Sequence, residues 1–385
     1  MLYHLVDWLQ SLGLDFPGKG LMHYLSFRAM LAVVISMLIA FFAGGRIIKW
    51  LRRHQIGEDI RDLGLEGQMQ KKGTPTMGGI IIIIALLGSA LLVCRLDSIY
   101  TILLLITTVW CGAIGFADDY IKVFKHNKEG MSEKGKLVLQ FGLGLVVALT
   151  VCISPDIPTD KLVTTIPFVK AHEFDYSWLS PFRGQLGVYC SWGIYMIMII
   201  LVTLACSNGT NLTDGMDGLA SGTSAIVGVT IGVMAWLSGD VIDAQYLNIM
   251  YIPGAGEVAI FMAAFVGALI GFLWYNTYPA QVFMGDSGSL TIGGIIGVSA
   301  VLIRKELILP LLCGIFLMES LSVIIQRTHF KRTKRKYGEG RRVFLMAPLH
   351  HHYQKQGIPE PRIVTRFWII GIILAVSTLA VLKIR

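Results

Sequence analysis

Residues 99–122 read IYTILLLITTVWCGAIGFADDYIK, an uncharged run from 99 to 117 closed by Asp118 and Asp119, with Lys122 one turn further on. A run of that length matches the roughly 20 residues an α-helix needs to cross a hydrocarbon core at about 1.5 Å per residue. The pattern recurs. Apolar runs at 24–48, 75–94, 99–117, 136–153, 188–206, 216–237, 257–275, 287–303, 306–326 and 363–383 predict ten spans, the one at 287–303 being short and rich in glycine. The expectation is an all-α polytopic membrane protein of about ten transmembrane helices, with residues 1–385 as one integral-membrane domain.

Composition agrees. The chain is 54% hydrophobic and only 15% charged, with mean hydropathy +0.64, whereas soluble domains carry about 25% charged residues. A net charge of +8 would suggest nucleic acid in a soluble protein. Here the basic residues gather in a few loops between apolar runs, which points to anionic lipid headgroups and excludes nucleic acid as a partner. The six cysteines lie in or beside apolar runs without a C-x-x-C pair and read as small buried hydrophobes. Asp7 and Asp15 interrupt residues 1–20, so that segment reads as an interfacial helix and not as a cleaved leader.

Loop charge sets orientation. The first loop holds Arg52, Arg53, Arg61, Lys71 and Lys72, the third Lys122, Lys125, Lys128 and Lys134, and the ninth (327–362) a dense basic tract from Arg327 to Arg342. The even loops are poorer in Lys and Arg. Odd loops are therefore expected in the cytoplasm and both termini in the periplasm. Five polar clusters then fall on the cytoplasmic side: residues 71–76 (KKGTPT), 118–122 (DDYIK), 208–217 (NGTNLTDGMD), 276–289 (NTYPAQVFMGDSGS) and 347–353 (APLHHHY). Carboxylates, amides, a lysine and histidines at one membrane face point to catalysis on a charged, water-soluble substrate.

Asp118 and Asp119 end the third run, where a helix C-terminus disfavours anions unless a divalent cation or Lys122 compensates. Asn211, Asp214 and Asp217 are spaced three apart and would share a helical face if the sixth span begins there, although ordinary capping accounts for one of them. The tract Gly285-Asp286-Ser287-Gly288-Ser289 opens a span. It serves equally as an N-cap and as a phosphate site beside an Mg²⁺ ligand, Asp286. His350, His351 and His352 are consecutive and cannot share one helix face, so zinc is poorly supported and hydrogen bonding to phosphate or carboxylate is preferred.

These tracts, in this order, resemble the polyprenyl-phosphate N-acetylhexosamine 1-phosphate transferases over nearly the whole chain, and APLHHHY favours the muramoyl-pentapeptide branch over the branch that transfers N-acetylglucosamine. The resemblance implies a bacterial inner-membrane enzyme of peptidoglycan synthesis. It would transfer phospho-MurNAc-pentapeptide from UDP-MurNAc-pentapeptide to undecaprenyl phosphate, giving lipid I and UMP, with Mg²⁺ as cofactor and a homodimer as assembly. By motif match, Asp118, Asp119 and Asp286 are the catalytic acids, with Asp286 and Asn211 at the metal. Lys72, Thr76, Lys122, Lys136, Asn208, Asn211, Asp214, Asp217, Asn276, Phe283, Ser289 and His350 to His352 line the substrate site. Gln354, where an acid is usual, and Ser287, in place of a frequent threonine, depart from the pattern.

Phosphoryl transfer asks mainly for positioning and charge neutralisation. Direct attack by the lipid phosphate is favoured, because that group is already largely anionic near neutral pH. A route through an aspartyl-phosphate stays chemically open. An ion-coupled transporter would place its acids near the midplane within inverted repeats, and neither feature is visible here.

Overall fold

The computed structural model describes residues 1–13, 18–54, 73–125, 127, 129–157, 162–167 and 173–382. Lys72, expected at the substrate site, lies outside them. Helices follow one another as α1 (Leu2–Ser11), α2 (Leu25–His54), α3 (Gly79–Val93), α4 (Ile99–Phe124), α5 (Glu133–Ile153) and α6 (Gly184–Thr213). Then come α7 (Leu219–Gly239), α8 (Val241–Leu247), α9 (Ala255–Asn276), α10 (Gly285–Leu302), α11 (Leu309–Leu312), α12 (Gly314–Tyr337), α13 (Leu349–Lys355) and α14 (Glu360–Val381). Between α5 and α6 a small antiparallel hairpin pairs β1 (Val163–Thr165) with β2 (Glu173–Asp175), Thr164 opposite Phe174.

The chain is an all-α polytopic membrane protein. Among the described residues eight helices are long and apolar enough to cross a membrane: α2, α4, α5, α6, α7, α9, α10 and α14. The run expected at 306–326 is two helical pieces, Glu306–Leu312 and Gly314–Tyr337, bent by 79° to each other, which is the form of a broken span or a re-entrant loop. The run at 75–94 yields only the 15-residue α3, about 22 Å long against a core of about 30 Å. Its first residues stay outside the helix and are held to the segment before α10: Phe283 N–H donates to Pro75 O and Gly78 N–H to Phe283 O, both at 2.8 Å.

Burial grades from rim to centre. Only 28% of the spanning window is buried in α2 and α6 and 33% in α5 and α14, against 67% in α7, 72% in α9 and 89% in α10. α10 is thus surrounded by protein, and its approach to α4 is close enough that a Cβ on Gly115 would collide with the main chain at Asp286. Small residues at such crossings let two backbones meet.

Two sequence expectations are corrected. α4 does not stop at Asp118 but continues to Phe124, so the acids sit within a helix and not at its C-terminus. Asn211, Asp214 and Asp217 do not share a helical face. Asn211 is in the last turn of α6, Asp214 is its C-cap and Asp217 lies in the turn before α7, which Gly218 enters at φ +79°.

Beyond the C-terminal end of α10 the hairpin is latched down. Thr165 N–H and Thr164 Oγ1 both donate to Arg304 O, at 3.0 and 3.1 Å. Lys305 Nζ donates to Thr165 Oγ1 at 2.6 Å, and Tyr176 donates its hydroxyl to Glu306 at 3.0 Å.

Candidate active site

α10 begins without a cap of its own, since Met284 holds the N-cap position and contributes no side-chain bond. The first N–H groups of a helix have no intrahelical partner. Asp119, carried on α4, supplies the acceptors: Oδ1 receives the Asp286 N–H at 3.0 Å and Oδ2 the Ser287 N–H at 2.9 Å. A carboxylate there also meets the positive end of the helix dipole. Gly285 sits at φ +73°, and a Cβ on it would lie 2.7 Å from Asp119 Oδ2. The position requires glycine. The capping role expected of the GDSGS tract therefore falls to Asp119, and the Asp286 side chain is turned to other partners.

Those partners arrive from three helices. Asn211 Nδ2 on α6 donates to Asp286 Oδ1 at 2.9 Å and to Ser289 Oγ at 2.9 Å. Lys122 on α4 and Lys136 on α5 place Nζ 3.2 and 2.7 Å from Asp286 Oδ2. The same two ammonium groups stand 2.6 and 2.8 Å from Asp118 Oδ2, while Asp118 Oδ1 receives the Met131 N–H at 2.6 Å. Asp118 is 0% and Asp119 3% exposed, whereas the Asp286 side chain is 15% exposed and that of Lys122 32%. Asp286 and the lysines are the side that a ligand can reach.

Oxygens of Asp118, Asp119 and Asp286 all lie within 4.8 Å of one another and could hold a metal ion. Like charges so close in a low-dielectric setting repel strongly. Three carboxyl groups faced by two ammonium groups leave the cluster short of positive charge. Hard oxygen donors with a charge deficit suit a divalent cation of the Mg²⁺ class.

Around the turn between α6 and α7 a second set of residues gathers. Asn276 Oδ1 accepts from Gly218 N–H and Ser221 Oγ, both at 3.1 Å, and its Nδ2 donates to Val282 O at 3.0 Å. Asp217 Oδ2 accepts the Ala280 N–H at 3.0 Å. Asp214 caps α6 and stays partly exposed. Asn208 donates its amide to Gln140 Oε1 and Leu204 O, both at 2.9 Å, so it braces α6 against α5. Thr76 is buried beside Gly285, and Phe283 clamps its segment through the main-chain bonds described above.

The three histidines on α13 face three ways. His350 is buried against Glu319 of α12, with Nδ1 3.2 Å from Oε2. His351 Nδ1 is 3.1 Å from Gln354 Oε1, and His352 Nδ1 accepts the Leu345 N–H at 3.1 Å.

Residues 101–304 match the family model described as glycosyl transferase family 4, and residues 71–83 match phospho-N-acetylmuramoyl-pentapeptide-transferase signature 1. The chain is 54% identical to the phospho-N-acetylmuramoyl-pentapeptide-transferase of Parabacteroides distasonis, 53% to that of Flavobacterium psychrophilum and 50% to that of Porphyromonas gingivalis ATCC 33277, with 100% of both chains covered each time. The chain belongs to the phospho-N-acetylmuramoyl-pentapeptide-transferase family.

In this member of the phospho-N-acetylmuramoyl-pentapeptide-transferase family the carboxylate cluster, both lysines, Asn211 and Ser289 fall inside the glycosyl transferase match, and Thr76 inside the signature. Three supporting residues escaped the sequence reading. Gln140 links Asn208 to Ser207, donating to Ser207 Oγ at 3.1 Å. Glu360 accepts the Asp217 N–H at 2.8 Å. Glu319 holds His350. Of these only Glu319 carried a signal, an acid within an apolar stretch.

Proposed function

We propose that the protein transfers phospho-MurNAc-pentapeptide from UDP-MurNAc-pentapeptide to undecaprenyl phosphate, releasing UMP and forming lipid I, with Mg²⁺ as cofactor. The reaction would take place at the cytoplasmic face of the bacterial inner membrane. Family membership supports the sugar and the lipid. The observation that carries the chemistry is Asp286, partly exposed at the mouth of a buried helix and gripped by Asn211, Lys122 and Lys136.

Asp286 and Asn211, with Asp118 nearby, would hold the Mg²⁺, which supplies charge neutralisation on the UDP diphosphate and its leaving UMP. Lys122 and Lys136 balance the acids before substrate arrives and turn to substrate phosphate afterwards. Their departure uncovers Asp118 Oδ2, which then accepts the last proton of the lipid phosphate as that group attacks the sugar-linked phosphorus. Asp119 holds the N-terminus of α10 with both oxygens and acts as a positioning residue. With both oxygens of Asp119 engaged and Asp118 serving as the proton acceptor, the direct route is favoured over an aspartyl-phosphate.

The test is UMP release by the purified protein from undecaprenyl phosphate and UDP-MurNAc-pentapeptide, with UDP-GlcNAc as the competing donor and a chelator as control. Turnover is expected with the muramoyl donor alone, abolished by chelation and restored by Mg²⁺. Asp286→Ala is expected to stay inactive at every Mg²⁺ concentration. Preference for UDP-GlcNAc overturns the substrate assignment, and near wild-type activity in Asp286→Ala removes that residue from the metal.

A further inference from the structure

Outside the carboxylate cluster, Glu319 is as enclosed as Asp118. Glu319, on the first turns of α12, is 0% exposed, and an ionisable group within a membrane bundle is costly enough to mark function. Both its oxygens are turned to the His350 main-chain N–H, at 3.2 and 3.4 Å, and Oε2 also faces Nδ1 of the same residue. His350 is itself 0% exposed, and neither ring nitrogen has a hydrogen-bond partner among the described residues. The Nε2 edge presses on Gly215, where a Cβ would collide with the ring. Gly215 is exposed on its other side, within the turn that bears Asp214 and Asp217.

We infer that Glu319 is a positioning residue for the nucleotide-sugar site: it holds His350 so that the imidazole sets the height of the Asp214–Asp217 turn against a bound nucleoside diphosphate sugar. A carboxylate only accepts hydrogen bonds, so it takes the main-chain N–H and draws the ring proton to the Nδ1 side. Nε2 is left turned to the turn, the way outer partners orient ligating histidines elsewhere. Nε2, buried without a hydrogen-bond partner among the described residues, is a cost to folding, in keeping with a residue kept for a ligand. This inference rests on the function proposed above and extends it to a residue that touches no substrate.

The test is steady-state kinetics with each substrate varied in turn. Glu319→Ala is expected to raise KM for UDP-MurNAc-pentapeptide about 10- to 100-fold, the usual effect of losing an outer partner, with KM for undecaprenyl phosphate unchanged. Glu319→Gln keeps an acceptor for the main-chain N–H but lacks the charge facing Nδ1, and should raise it less. Because Glu319 acts through His350, adding Glu319→Ala to His350→Ala should have no further effect. Multiplying effects in that pair, or a rise in both KM values, overturns the proposal. Should Glu319→Ala fail to fold, wild-type KM in Glu319→Gln overturns it. A wild-type protein that releases no UMP from the muramoyl donor instead sinks the functional reading beneath it.

Discussion

Both oxygens of Asp119 are committed to main-chain N–H groups of α10, while Asp118 Oδ2 is held only by side chains that can swing away. The two neighbours should therefore respond differently to the same change. Asp118→Asn is expected to cut UMP release by about 10²- to 10⁴-fold, the usual share of a general base, with little change in thermal midpoint. Asp119→Asn leaves one acceptor for two donors, a loss of about 1–2 kcal/mol, and should lower midpoint and turnover together. Equal midpoints in the two variants would sink this division of labour. The acids were legible in the sequence because charge in an apolar chain is costly and must be answered. What each one answers was not: Asp119 caps a helix 167 residues away, and no local pattern encodes that partner. Glu319 sent the same signal as Asp118 but stood alone among apolar residues, without a neighbouring acid to draw attention.

At the level of helices, polar residues do not by themselves mark ends. The sequence between Asp118 and Phe124 has no glycine or proline, and Lys122 answers Asp118 at i,i+4, which prolongs a helix instead of stopping it. Likewise Asn208 and Thr213 bond back to carbonyls four residues earlier, Leu204 and Gly209, so α6 runs on where a loop was expected. The apolar runs themselves were legible because crossing a bilayer fixes their length, but hydropathy carries no sign of the 79° bend before Gly314. α4 and α10 are in close contact. A Cβ on Gly115 would meet the main chain at Asp286, whereas one on Gly142 would make ordinary contact with Trp110 at 3.5 Å. Gly115→Ala should cost about 1–3 kcal/mol through overpacking and, by displacing Asp286, depress turnover well beyond Gly142→Ala. Paired UMP-release and thermal-unfolding measurements on the two variants check this, and equal turnover refutes it.

Across the whole molecule, α10 joins the carboxylate cluster at one end to the hairpin latch just past the other. Lys305 in that latch is buried, and desolvation pushes its pKa down to about 8 from about 10.4 in an unfolded chain; Glu306 and Glu173 oppose the shift without cancelling it. Between those two values the unfolded state holds a proton that the folded state has released, so this lysine makes stability climb as pH rises through the window. Lys305→Met should flatten that climb in thermal midpoint between about pH 8 and about pH 10, and an unchanged slope refutes the reading. The gradient of burial has a further consequence. With 89% of its window enclosed against 28% for α2 and α6, α10 has almost no boundary with lipid. Hydrophobic mismatch, whether from a thicker or a thinner bilayer, is therefore absorbed by tilt and local thinning at the rim; it spares the Asp286 backbone on α10 and reaches the cluster through Asn211 and Lys136, carried on the rim helices α6 and α5.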